Sequence, residues 1–173
     1  TEEKPENTFT DSYTPTLKNY KINLTWYQTT NTTANNNVGQ YLTNATGVNT
    51  ISPTWYSITD KNGGVSSIAS ADFVDTMHAR GLEVWPLISD FDKDIDYAAL
   101  FSSNSARKNL INRLISDSIQ YSYDGINLDF ENIKAAYAAD FLQFVRELSI
   151  QCKRNGIVLS TDNYKPQTFN SFY

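Results

Sequence analysis

Tyr123-Asp124-Gly125-Ile126-Asn127-Leu128-Asp129-Phe130-Glu131 alternates strictly: Ile126, Leu128 and Phe130 share one parity, Asn127, Asp129 and Glu131 the other. Side chains on a strand repeat every two residues, so this reads as a β-strand whose amide and two carboxyls point the same way. Acids on the inner face of a buried strand are costly unless something requires them. The tyrosines at 121 and 123 before the run, and the helix-like pattern after Asn132, put the acids at the strand's C-terminal end. Barrels and open α/β sheets keep their chemistry there.

Outward from this strand the chain alternates strand and helix signals. Lys21–Tyr27 reads as a first strand, and Thr30–Asn37 as a polar loop leading to a short helix over Val38–Asn44. Val48–Ser52 reads as a second strand running into Pro53-Thr54-Trp55-Tyr56, with Asn62-Gly63-Gly64 as a turn. Ser70 caps a helix to about Arg80, with Gly81 as its stop. Leu82–Ile88 is a third strand, in which Pro86 lacks a ladder donor and is awkward, and Ser89–Asp94 is an acidic loop. A helix from Ser105 to about Gln120 shows Leu110, Ile111, Leu114, Ile115 and Ile119 at helical spacing. The acidic strand comes fourth; a helix over about Ala136–Arg154 follows, then Ile157–Thr161 as a fifth strand and a loop from Asp162. The rhythm predicts an α/β fold with parallel strands and about five βα units. Phosphate-binding glycine loops are missing from the sequence, which disfavours a nucleotide-binding sheet, and acids at the end of strand four favour part of a (β/α)8 TIM barrel. Residues 1–19, rich in Pro, Thr and Glu, read as a linker, and 20–173 as the N-terminal portion of the barrel.

Composition narrows the function. The 173 residues carry a formal charge of −5, which offers phosphates no basic surface and argues against nucleic acid. The pairs Arg107-Lys108 and Lys153-Arg154 read as solvated helix faces. One cysteine, Cys152, and one histidine, His78, leave no framework for disulfides, a His/Cys metal site or a His-based triad. No cofactor is implied. No stretch is long and apolar enough to span a membrane, and no signal peptide is visible. With 11 Tyr and 3 Trp the chain is rich in flat amphipathic rings, which suit sugar faces and suit a core equally well.

The two acids lie two strand rises apart, roughly 6.6 Å between Cα atoms. Like charge and burial are expected to raise one of them, and the outer acid, Glu131, is the natural general acid, with Asp129 ionised or sharing a proton one layer deeper. Spacing alone equally allows a capped strand end with both acids bonded to backbone. Trp26, Trp55, Tyr56 and Trp85 lie at or near strand ends and are candidates to stack on sugar rings, each suiting the core at least as well; Trp55, which follows a Pro-Thr turn, is favoured, with Tyr56 beside it. Asp90 after strand three is a candidate for the acid network and for substrate contact, or equally a loop cap; Asn163 and Tyr164 after strand five are further candidate substrate contacts.

Asp124-Gly125-Ile126-Asn127-Leu128-Asp129-Phe130-Glu131 resembles the DGxDxDxE signature of glycoside hydrolase family 18, the chitinases and endo-N-acetylglucosaminidases, which also lies on strand four. One position departs: Asn127 stands where that family has an acid. The resemblance implies Glu131 as general acid/base, Asp129 as the residue that positions a substrate N-acetyl group, and Asn127 at the deepest contact. It implies retention through attack by the substrate's own acetamido oxygen, for which the two-carboxylate scheme has no counterpart. Ile51–Tyr56, Ala79–Trp85 and Val158–Tyr164 look like the bacterial branch that holds spore-cortex and cell-wall hydrolases. The implied substrate is therefore a β-linked N-acetylglucosamine glycan, peptidoglycan before chitin, met outside the cell or in its wall. A non-catalytic glycan-binding protein and an inactive portion of the enzyme are the alternatives; the presence of Glu131 argues against the first. Because a (β/α)8 barrel takes about 250 residues, five units imply a truncated barrel that self-associates through unpaired sheet edges.

Overall fold

The computed structural model describes residues 16–163. Its strands are β1 (Leu24–Tyr27), β2 (Thr50–Pro53), β3 (Tyr56–Ile58), β4 (Val65–Ser67), β5 (Glu83–Val84), β6 (Leu87–Ser89), β7 (Gly125–Asp129) and β8 (Val158–Asp162). The helices are α1 (Val38–Tyr41), α2 (Ala71–Ala79), α3 (Tyr97–Ser102), α4 (Asn104–Gln120) and α5 (Ala138–Arg154), with 3-10 turns over Thr32–Asn37 and Ala135–Tyr137.

The strands form five parallel positions in chain order: β1, then β2 with β3, then β5 with β6, then β7, then β8. A doubly wound sheet reverses its strand order at a switch point. Here the order runs monotonically, as in a barrel wall. Two positions are broken midway. At the third, Pro86 has no N–H to give, so the ladder lapses between Val84 and Leu87. Bonds on either side keep the wall continuous: Trp85 N donates to Ile51 O at 2.9 Å, and Asn127 N donates to Pro86 O at 3.0 Å. At the second, the break follows Pro53, and Trp55 N turns back to Pro53 O at 2.9 Å. Among the described residues, β1 and β8 each have one ladder partner.

Residues of one parity face the helices and make the core. Ile51, Val84, Ile88, Ile126 and Leu128 pack in one buried cluster with Phe73, Val74 and Met77 of α2, Leu110 and Leu114 of α4, and Phe144 and Leu148 of α5. Helix starts are set by side-chain caps: the hydroxyl of Ser70 accepts from Phe73 N at 3.2 Å, and that of Ser103 from Ala106 N at 3.3 Å. Cys152 is buried on α5, and burial pushes its thiol up to about 12, which leaves it protonated and unreactive. No helix among the described residues is long and apolar enough to cross a membrane.

The structure corrects several expectations. Asn62-Gly63-Gly64 turns the chain into an antiparallel hairpin, so β4 pairs with β3, a strand absent from the sequence reading. The stretch after the acidic loop holds α3, whose start is capped by Asp96 accepting from Ala99 N at 3.0 Å. The polar Thr/Asn cluster is a 3-10 turn and not a loop, capped by Asn31. Arg107 is no solvated face: it is 8% exposed and forks onto Glu147 of α5 through Nε at 2.9 Å and Nη2 at 3.0 Å, with Nη1 donating to Phe101 O. Of the expected linker, residues 16–19 fall within the described part, where Lys18 Nζ donates to Glu83 Oε1 at 2.6 Å.

Gly125 opens β7 for a packing reason. A Cβ placed there would meet the Trp85 indole at 2.7 to 2.8 Å. That ring is 2% exposed and pinned by its N–H to Glu83 Oε2 at 2.9 Å, so it has nowhere to retreat. Gly125→Ala is expected to cost about 1–3 kcal/mol through overpacking, read from chemical denaturation midpoints; an unchanged midpoint would show that the indole can yield.

Candidate active site

The fourth strand position delivers two acids to the rim of the sheet. The ladder of β7 ends at Asp129, so Glu131 sits just beyond it, on the segment that leads to the 3-10 turn before α5. Phe130, between the two acids, points the other way and packs against Phe101 at 5.9 Å and Phe141 at 5.4 Å between ring centroids. That anchor sends Asp129 and Glu131 to the opposite, open side.

Asp90 fixes the main chain beneath them. Its carboxylate accepts from Glu131 N at 3.0 Å, Asn132 N at 2.8 Å and Asn132 Nδ2 at 3.2 Å, and the residue is 2% exposed. An anionic acceptor with three N–H donors is a strong anchor. Asp90 therefore clamps the main chain of Glu131 and Asn132, the capping role that its place after strand three allowed beside a substrate contact. Asn127, 1% exposed, is deeper still: its Nδ2 donates to Asp162 Oδ2 at 2.8 Å, and its Oδ1 accepts from Ser160 Oγ.

Asp129 and Glu131 open onto a hollow of about 550 Å³ lined also by Trp26, Thr54, Leu87, Thr161, Asp162 and Asn163. A second hollow of about 450 Å³ shares Trp26, Thr54 and Leu87 with it and continues to Phe91 and Asp92. Together they make a groove across the C-terminal ends of the strands. Trp26, 62% exposed, stands where the two hollows meet. Burial first, then the nearby carboxylates of Glu131, Asp162 and Asp90, push the carboxyl of Asp129 up to about 6. Among the described residues no three His, Cys, Asp or Glu side chains are arranged to hold a metal ion.

The aromatic candidates divide between core and cleft. Trp55 is 2% exposed, donates its indole N–H to Asn35 Oδ1 at 2.8 Å and meets Phe73 edge-on at 5.0 Å, all within the core. Tyr56 borders the second hollow, but its hydroxyl is held by Asp117 and Tyr123, each at 3.0 Å. The break after Pro53 turns both rings toward the helices, a change of direction that strict alternation does not foresee. Trp26, a candidate from the sequence, lines both hollows, with the exposed Phe91 in the second. Asn163 lines the first hollow, its Nδ2 donating to Thr161 Oγ1 at 2.9 Å; Tyr164 lies outside the described residues. Asp162, read as the start of a loop, is the last residue of β8 and faces the acids.

No family model matches the sequence. The chain is 30% identical over 99 residues to an uncharacterised glycosylase, YvbX, of Bacillus subtilis; the match takes in 51% of this chain and 28% of that protein. The C-terminal domain of a candidate chitinase from Desulfitobacterium hafniense superposes with a TM-score of 0.70 at 20% identity, covering 82% of this chain and 46% of that one. The spore cortex-lytic enzyme SleL of Bacillus megaterium gives a TM-score of 0.63 at 11% identity over 87% of this chain and 37% of its own. The chain thus resembles glycosylases and chitinases, and its fold is part of a chitinase-type (β/α)8 barrel. It spans less than half the length of these relatives.

Proposed function

We propose that this chain carries the acid site of a family 18-type glycoside hydrolase acting on β-linked N-acetylglucosamine glycans, peptidoglycan in preference to chitin. The observation that supports the reading best is the placement of Glu131: past the end of the fourth parallel strand, its backbone clamped by Asp90, opening with Asp129 onto a groove that holds an exposed tryptophan. A spore-cortex enzyme among the structural relatives favours the cell wall as the place of action.

In this reading the glycan lies across the strand ends with one sugar face on Trp26, a flat apolar surface suited to pyranose C–H groups. Glu131 donates its proton to the glycosidic oxygen as the C1–O bond breaks. The acetamido carbonyl oxygen of the same sugar attacks C1, giving a cyclic oxazolinium ion. This internal nucleophile supplies the effective molarity that the protein does not have to provide. Asp129 receives the acetamido N–H and orients the oxygen for attack. Water then adds to C1 as the ring opens, Glu131 takes its proton, and the product keeps the starting anomeric configuration.

The test is incubation of the chain with N-acetylglucosamine oligomers and with peptidoglycan, with the first-formed reducing ends followed by proton NMR. Early accumulation of the β-anomer is expected. No turnover of either substrate, or early α-anomer, would overturn the proposal.

A further inference from the structure

The residue at 127 is a neutral amide, and both its polar ends are engaged on the fifth strand position: Nδ2 with Asp162 Oδ2 at 2.8 Å, Oδ1 with Ser160 Oγ. It can neither carry charge nor accept a proton. Its contact does something else. It fixes the orientation of a carboxylate that arrives from β8.

Asp162 stands directly beside Asp129 in the parallel register, as Ser160 does beside Asn127. Register neighbours on adjacent strands lie about 4.8 Å apart between backbones, and both carboxyls face the same hollow. Three acids surround Asp129: Glu131 from its own segment, Asp162 from β8 and Asp90 from the loop after β6. They are not equivalent. The charge of Asp90 is already met by three N–H donors. Glu131, on the proposed mechanism, loses and regains a proton during each turnover. Asp162 is the one held in place by a neutral amide and outside the proton transfers.

We propose that Asp162 is a positioning residue of the acid site, a carboxyl set beside Asp129 that favours the protonated form of that acid whatever the state of Glu131. Oriented by Asn127, it shifts its register neighbour toward the neutral carboxyl. A neutral Asp129 has an O–H to donate toward a neighbouring carboxylate and keeps an oxygen with which to accept the acetamido N–H. The fifth strand position thus supplies the charge that position 127 lacks. The catalytic consequence rests on the function proposed above; the coupling between Asp162 and Asp129 does not.

The experiment titrates the Asp129 side-chain carboxyl by carbon-13 NMR in the full chain, in wild type, Asp162→Asn and Asp162→Glu. The amide in Asp162→Asn can still accept from Asn127 through its oxygen, so the local frame is preserved while the charge is removed. Its midpoint for Asp129 is expected to fall by about one pH unit, while Asp162→Glu keeps it raised. An Asp129 midpoint unmoved by Asp162→Asn would overturn the inference, as would an equal fall in Asp162→Glu. In hydrolysis assays, rates depend on a protonated Asp129 and fall as pH rises through its midpoint, so Asp162→Asn is expected to move that alkaline limb lower by the same amount. The NMR result stands even if no glycan is turned over, which would remove the proposed function alone. An unmoved midpoint with hydrolysis intact would remove this inference alone.

Discussion

Glu131→Gln is expected to lower kcat for glycan hydrolysis by about 10²–10⁴-fold, the contribution of a positioned general acid. The amide has nearly the volume of the carboxyl and keeps hydrogen-bonding capacity, but it cannot give a proton to the glycosidic oxygen or take one from water. Its backbone is placed by Asp90, which bonds the main-chain N–H and is indifferent to the side chain. The variant should therefore unfold near the wild-type temperature and bind oligomers with little change in KM. That combination separates loss of chemistry from loss of structure. Equal rates for wild type and variant would remove Glu131 from the mechanism.

Phe101→Ala is expected to destabilise the fold by about 3–5 kcal/mol, the usual cost of emptying a buried phenylalanine site. The ring is fully buried and central to an aromatic cluster, with Phe141 at 5.2 Å, Phe144 at 5.3 Å, Phe130 at 5.9 Å, and Tyr97 and Tyr137 beyond. Domains are stable by only about 5–15 kcal/mol, so this is a large share. The effect reaches the acid site because Phe130 leans on Phe101 and sits between Asp129 and Glu131. Urea denaturation should show a lower midpoint with an unchanged slope. Should Phe101→Ala fail to fold, Phe101→Leu keeps most of the volume and should still unfold at lower urea than wild type. A loss below about 1 kcal/mol for Phe101→Ala would mean that the cluster collapses around the gap, contrary to the packing described.

The acid strand was legible because period-two alternation is local: the parity of Ile126, Leu128 and Phe130 assigns the opposite side to Asn127, Asp129 and Glu131 without knowledge of any neighbour. The Ser70 cap and the spacing within α4 were legible for the same reason. Whether Trp55 and Tyr56 face core or cleft stayed open in the sequence because the break after Pro53 resets the parity, and the residues there do not show whether a proline bends or merely edges a strand. The helix α3 was hidden by its length: six residues offer too few turns for periodicity to declare itself.

The sequence by itself determined the parallel α/β rhythm, the ends of the main helices and the presence of two acids at the mouth of a strand, all of which depend on residues close together along the chain. Which groups meet those acids was decided by tertiary structure alone. Asp90 comes from 41 residues before Glu131 to clamp its backbone, and Asp162 from 35 residues beyond Asn127 to take its amide. Trp26 joins them from the first strand. Strand register sets such meetings, and register follows from how the outward faces pack against the helices, a property of the assembled sheet.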